Sequence, residues 1–271
     1  NYCVESVDEA PMITGNILAG SITSTPSGLS VDNTTGLIDF SASAPGTYTV
    51  ESQVIQSIDG YTVDQTGTFA PITGTGTAIS DVASGDDVVS AALPIGFNFN
   101  FYGNSYTEFY LSSNGLMTFT AAQGGSGCCS GQTIPNTNTW NNSIAFAWTD
   151  LNPGSGTATV EYFVSGTAPN QILVMNFMDA EVYGSTQLVS TQVQLFETTN
   201  VIEIHTTSTD VTGETATMGI ENVDGTSATS VPGRNASEWS ITNDFVRFTP
   251  SDCVASIEIN VNGHNYEKPN Y

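Results

Sequence analysis

The feature that most constrains this chain is a period of two. In Gly96–Tyr102, "GFNFNFY", Phe97, Phe99 and Phe101 alternate with asparagines, and in Thr47–Ile55, "TYTVESQVI", Tyr48, Val50 and Val54 fall on alternate positions. Successive side chains of a strand point to opposite faces, so such runs make one face apolar and leave the other polar. "QVQLF" (192–196) and "VIEIH" (201–205) repeat the pattern, parted by "ETTN", which reads as a hairpin turn. Helical spacing is hard to find anywhere. The expectation is an all-β fold of half-buried strands in antiparallel sheets packed face to face. "YLSSNGLMTF" (110–119) fits it: Asn114-Gly115 is a strong signal for a type I′ reversal between two strands.

Composition bounds the partners. A chain of 271 residues holds one large or two ordinary domains, and 13 Phe, 10 Tyr and 3 Trp suffice for a packed core. Only Arg234, Arg247 and Lys268 are basic against 27 acidic residues, and the net charge of -24 repels nucleic acid and anionic lipid alike. The acids are spread along the chain, which fits solubility better than a dedicated cation site. Lysine commonly protects sheet edges from pairing with other chains. With so little of it, the edges here must be covered, carry Asp or Glu, or be used for assembly. No apolar stretch approaches the length of a membrane span. The start at Asn1-Tyr2-Cys3 is read as that of a processed, exported chain.

Four cysteines stand at 3, 128, 129 and 253, with no C-x-x-C and with His205 and His264 far from them in sequence. The pattern argues against zinc and for disulfides in an oxidising compartment. Three pairings are open. Cys128 and Cys129 could bridge each other, with strain, or reach Cys3 and Cys253 separately.

The chain divides into a small module, 1–58, a larger sandwich, 59–250, and a strand-forming C-terminal tail, 251–271. "STPSGLSVDNTTGLIDFSASAPGTYTV" (24–50) resembles the immunoglobulin-like or cadherin-like repeats of bacterial surface proteins. "LPIGFNFNFYGNSYTEFYLSSNGLMTF" (93–119) and "NNSIAFAWTDLNP" (141–153) are similar to the nidogen-type extracellular domain and to related sandwiches of exported Bacteroidota proteins. "VEYFVSGTAPNQILVMNF" (160–177), "TQVQLFETTNVIEI" (191–204) and "MGIENVDG" (218–225) extend the likeness over most of the segment. Ala147 in "IAFAW" and the "GGSGCC" insertion depart from the commoner pattern. The resemblance implies a secreted, non-catalytic β-sandwich carried on cell-surface or adhesive proteins.

Candidate chemistry is sparse. A nucleophilic triad needs a histidine held beside Ser or Cys. The alternation of "VIEIHTTS" places His205 with Glu203 on a solvent-facing side, and His264 falls in a turn or tail. Asp150, Glu161, Asp179, Glu181 and Glu203 are the carboxylates from which a glycosidase pair would be drawn, but no spacing singles one out. Asp81, Asp86 and Asp87 in "SDVASGDDVV" are candidate ligands for a structural Ca²⁺, without an EF-hand pattern; otherwise no cofactor is expected. Trp140 and Tyr183 lie near loops and are the glycan-contact candidates, whereas Trp148 reads as core. The sequons at Asn33, Asn141 and Asn235 are read as incidental.

The tail carries the sharpest remaining feature. Ile257, Ile259 and Val261 alternate with Glu258, Asn260 and Asn262, which makes a strand with one apolar face. It can add to its own chain's sheet, beside the N-terminal module, or to the sheet edge of another copy. The function expected is that of a secreted structural or adhesive surface protein, in its specific form a filament subunit joined to copies of itself by strand addition. A carbohydrate-binding module with glycan partners is the alternative.

Overall fold

The computed structural model describes residues 2–3, 21–32, 37–53, 60–121, 125–138, 140–251 and 255–262. Nearly all of its regular structure is strand, in two units: 1–57 with 252–271, and 58–251. The first unit opens with β1 (Tyr2–Cys3), β2 (Ser21–Thr25), β3 (Ser30–Val31), β4 (Ile38–Asp39) and β5 (Gly46–Gln53). β2 lies antiparallel to β5, and β3 and β4 form a separate hairpin. Tyr48 and Val50 of β5 point inward, as their alternation requires, and meet Leu29, Ile38 and Phe40 in a small core. The Tyr48 hydroxyl donates to the carbonyl of Ala44 at 2.7 Å. Gly28, at φ +129°, lies so close to that ring that an added Cβ would sit 2.8 Å from the hydroxyl oxygen.

The second unit holds two sheets. Its elements are β6 (Tyr61–Asp64), β7 (Thr77–Ala78), the one-turn helix α1 (Ser80–Ala83), β8 (Leu93–Phe101), β9 (Asn104–Ser112), β10 (Leu116–Thr118), β11 (Ser143–Trp148) and β12 (Leu151–Asn152). They continue as β13 (Thr159–Ser165), β14 (Ile172–Val182), β15 (Leu188–Phe196), β16 (Ile202–Asp210), β17 (Thr217–Glu221), β18 (Ala228–Ser230) and β19 (Ser240–Pro250). A six-stranded sheet runs β18-β17-β11-β10-β9-β8, and an eight-stranded sheet runs β6-β19-β16-β15-β14-β13-β7 with β12 paired to β14. All of these pairings are antiparallel.

The inward faces of both sheets share one core. Phe99, Phe101, Phe109 and Phe146 come from the first sheet; Phe177, Leu195, Ile204 and Phe248 come from the second. Phe146 and Phe177 pack across the gap with ring centroids 5.2 Å apart, and each such ring contributes roughly 1.5–3 kcal/mol by leaving water. β11 breaks the alternation because it is buried on both faces. On its outer side Ala145 and Trp148 meet Leu116, Ile134 and Trp140 in a second, smaller core. The Trp148 indole N–H donates to the carbonyl of Gly127 at 2.7 Å.

The sheet edges are blunted without lysine. β6, β7 and β18 are two to four residues long. The long edge strand β8 carries Pro94 and a register shift around Gly96, at φ +95°. Short edges, proline and bulges all deny a neighbour a continuous row of hydrogen-bonding groups.

The last strand, β20 (Ala255–Asn262), lies outside both of these sheets. It pairs antiparallel with β5 over seven residue pairs, Ala255 to Ser52 through Val261 to Gly46, and parallel with β1 at Tyr2 and Cys3. Ile257 stands opposite Val50 and Ile259 opposite Tyr48. The four-stranded sheet of the first unit is therefore β1-β20-β5-β2, made from both ends of the chain, and the tail is part of that unit.

Candidate functional site

The "SSNG" stretch is a reversal, but not of the type expected. Ser112 pairs with Leu116, so the loop has three residues, and of these only Gly115 has positive φ, at +75°. A type I′ turn would require positive φ at Asn114 too; the three-residue form ends on a left-handed glycine instead. The reason is tertiary. Asn114 is wholly buried, and its side chain is fixed by distant groups: its carbonyl accepts the Leu151 N–H at 2.8 Å and its amide donates to Asp87 at 2.8 Å. Ser126 donates to the same Asp87 oxygen at 2.9 Å, and Ser112 donates to the Ser126 carbonyl. At Gly115 a Cβ would lie 2.3 Å from the Ala147 carbonyl oxygen. Nothing in the local sequence singled out Asn114 or Ser126 for this part.

Around this turn the structure gathers one end of the large unit. Cys128 and Cys129 are joined to each other, which selects the bridge between neighbours among the pairings open in the sequence. Cys253 and the side chain of Cys3 lie outside the described residues. The sulfurs and one carboxylate oxygen each of Asp87 and Asp150 all lie within 4.8 Å of one another. Of the three aspartates expected to hold Ca²⁺, only Asp87 belongs to this group; Asp81 accepts the N–H of Val82 in α1. Burial, then the negative charges of Asp87, Asp86 and Glu214, raise the Asp150 pKa above the usual carboxylate range. Burial and then Asp87 raise that of Asp86. Sulfurs bonded to each other offer no thiolate, so Asp87 and Asp150 supply the only anionic ligands of the group. Tyr183 adjoins it through its backbone N–H, which donates to the Asp150 carbonyl at 2.9 Å, and the residue is 57% exposed. Trp140 is only 6% exposed and packs on Trp148 in the outer core, so it is not a free aromatic face.

A second polar cluster lies on the outer face of the eight-stranded sheet. His205 and Glu203 share the side opposite Ile202 and Ile204, as the alternation requires, but His205 is 2% exposed rather than solvent-facing. The segment 65–76 covers it. The N–H of Ala70 donates to His205 Nδ1 at 3.2 Å, so Nε2 carries the ring proton and donates it to Glu203 at 2.9 Å. Arg247 donates to the other Glu203 oxygen at 2.8 and 2.5 Å. Burial works to raise the Glu203 pKa, but the hydrogen bonds from His205 and Arg247 outweigh it and hold the carboxyl below its usual range. Both ring nitrogens are engaged, which leaves neither to activate a nucleophile.

The other carboxylates are dispersed. Glu161 accepts from Asn176, Asp179 from Ser190, and Glu181 from Ser155. Glu161 on β13 and Glu203 on β16 are three strands apart, about 14 Å by strand spacing, beyond the roughly 5–9.5 Å of glycosidase pairs. Glu221 on β17 is a buried acid the sequence did not single out: burial pushes its pKa up to about 7, partly offset by the Asn136 N–H that donates to it at 2.5 Å. The Asn235 side chain is bonded to the backbone of Ile134. His264 and Asn33 lie outside the described residues.

Two antiparallel sheets closed on one core, with loops gathered at one end, define a β-sandwich domain. The chain belongs to the NIDO-related family, whose model matches residues 60–252, nearly the whole of the second unit. Neither the curated proteins nor the solved structures gave a match. Among the described residues no helix is long and apolar enough to cross a membrane.

Proposed function

We propose that this chain is a secreted, non-catalytic structural or adhesive surface protein that joins copies of itself into an extracellular filament by strand addition. The observation that carries the reading is β20. It follows the closing strand of the large unit, yet its backbone bonds go to β5 and β1 of the small one. A β20 from another copy can make the same hydrogen bonds in the same register, so exchange creates no new interface and sacrifices none. Each copy then lends its last strand to the next, a head-to-tail geometry that grows without closing. The blunted edges of the large unit support the same route, since they leave the small unit's sheet as the place where copies pair. The likeness of residues 24–50 to immunoglobulin-like repeats and of the NIDO-related domain to exported Bacteroidota proteins supports secretion.

The test uses Thr49 and Glu258, which stand opposite each other in the ladder. In the variant carrying Thr49→Cys and Glu258→Cys, oxidation of concentrated protein should give a ladder of covalent oligomers on a non-reducing gel. The dilute monomer should give an intrachain link, and either single variant should give no ladder. Dispersed particles by electron microscopy at high concentration, with only intrachain links, would sink the filament.

A second reading rests on exposed Tyr183 beside Asp150. It makes this end of the sandwich a glycan contact, as aromatic faces next to acceptor groups bind sugar rings. A glycan array should then show hits that Tyr183→Ala abolishes; an array without hits removes the reading.

A further inference from the structure

We infer that segment 65–76 is a strap latched across the outer face of the eight-stranded sheet by unprotonated His205, and released in mild acid. The segment leaves edge strand β6 and arrives at the opposite edge strand β7, crossing the sheet on the way. Gly67 rests on the Phe245 ring of β19, where a Cβ would lie 2.1 Å from a ring carbon. Phe69 meets the His205 ring of β16 edge-on at 6.2 Å. Ile72 exchanges two hydrogen bonds with the Gln192 side chain of β15, at 2.8 and 2.9 Å. Gly74 then rests on the Phe163 ring of β13, where a Cβ would lie 2.5 Å away.

Residues 65–76 form no strand of their own, so their hold on the sheet depends on these side chains. Among the described residues the sheet side chains that hydrogen-bond the strap are Gln192, His205 and, where the strap leaves β6, Asp64, which accepts from the Thr66 hydroxyl and N–H and is held below its usual carboxylate range by those bonds. An amide does not titrate, whereas imidazole does, between about pH 5 and 8. Nε2 already carries a proton, so the next one must go to Nδ1. That step converts the acceptor of the Ala70 N–H into a donor, and two N–H groups then face each other at hydrogen-bond distance. The latch becomes a repulsion.

The charged groups around the ring are few. Glu203 on β16 accepts from the ring, Arg247 on β19 shares that carboxylate, and Asp64 of β6 is close enough to Arg247 to interact. β15 presents only the Gln192 and Gln194 amides, and residues 65–76 contain no ionisable side chain. Glu161 on β13 is tied to Asn176 farther along the strap. Release uncovers the amide row Gln194, Gln192 and Asn176 and the rings of Phe245 and Phe163.

Amide hydrogen exchange of the intact chain tests this, corrected for intrinsic rates and read between pH 8 and pH 5 beside an NMR titration of the His205 ring. Protection of the Ala70 amide should fall at least tenfold, with the same midpoint as the His205 ring, while strand amides of β15 and β16 stay protected. In His205→Gln, whose side-chain oxygen can still accept, protection should not depend on pH. Constant protection of Ala70 in the wild type, or midpoints for Ala70 and His205 that differ, would overturn the proposal whether or not the variant folds. So would an equal loss of protection in His205→Gln.

Discussion

The two units solve the same problem, closing a sheet around an apolar face, with different resources. The large unit draws every strand from one continuous stretch, 58–251, and shields both sides of β11. Among its described residues the small unit has five in its core, and it completes its sheet with a strand from the opposite end of the chain. The first is closed within itself. The second depends on a segment that reaches it only after nearly two hundred residues of another domain. The difference teaches where assembly can enter: an interface made of chain ends can be exchanged between copies, while one made of a continuous core cannot.

Removing 252–271 should have the largest effect. It strips β5 of its seven-pair ladder and should abolish the small unit's thermal transition altogether, a loss of about 5 kcal/mol or more. The large unit's transition should persist in calorimetry. If both vanish together, the units are not separable and the comparison fails. Phe146→Ala opens a cavity beneath Phe177 and should lower the large unit alone by about 3–5 kcal/mol, with the small unit's transition unmoved. Asn114→Ala tests the buried turn: it leaves the Leu151 N–H and the Asp87 carboxylate short of partners and should cost the large unit about 2–3 kcal/mol in denaturant unfolding.

The smallest effect concerns pH. The Glu221 pKa lies at about 7 in the folded chain, above the roughly 4.3 of an unfolded glutamate. The folded state therefore binds this proton more tightly. The contribution is fully present below about pH 4 and is lost as pH rises through about 7. Glu221→Gln should gain on the wild type between pH 5 and 8, on the order of 1–2 kcal/mol, in urea unfolding of the large unit. A constant difference across that range would show that Glu221 ionises freely.

How far the sequence speaks depends on how local each feature is. The inward set Phe97, Phe99 and Phe101, the reversal between β9 and β10, and the opposed faces of Ile204 and His205 are all legible in it, because the pleat obliges neighbours to alternate. The nidogen-like character of residues 60–252 is legible from motif order. His205 was misjudged as solvent-facing because alternation says which face a residue takes but not what covers that face. Trp140 was misjudged as a glycan contact for the same reason: the outer core it joins is built by a loop folding back on β11. The turn at Asn114 took its three-residue form because a buried amide had to satisfy Leu151 and Asp87, each more than twenty residues away.

The amino-acid order by itself determined the strand character, the side each residue of a strand takes and the acidic surface, since these follow from backbone geometry and charge along a few neighbouring positions. Tertiary structure alone decided that Cys128 bonds Cys129, that a strap crosses the eight-stranded sheet and that β20 completes the small unit. The last two outcomes hang on contacts between segments far apart in the chain, where closing a loop costs entropy that only the assembled core and its ladders can offset.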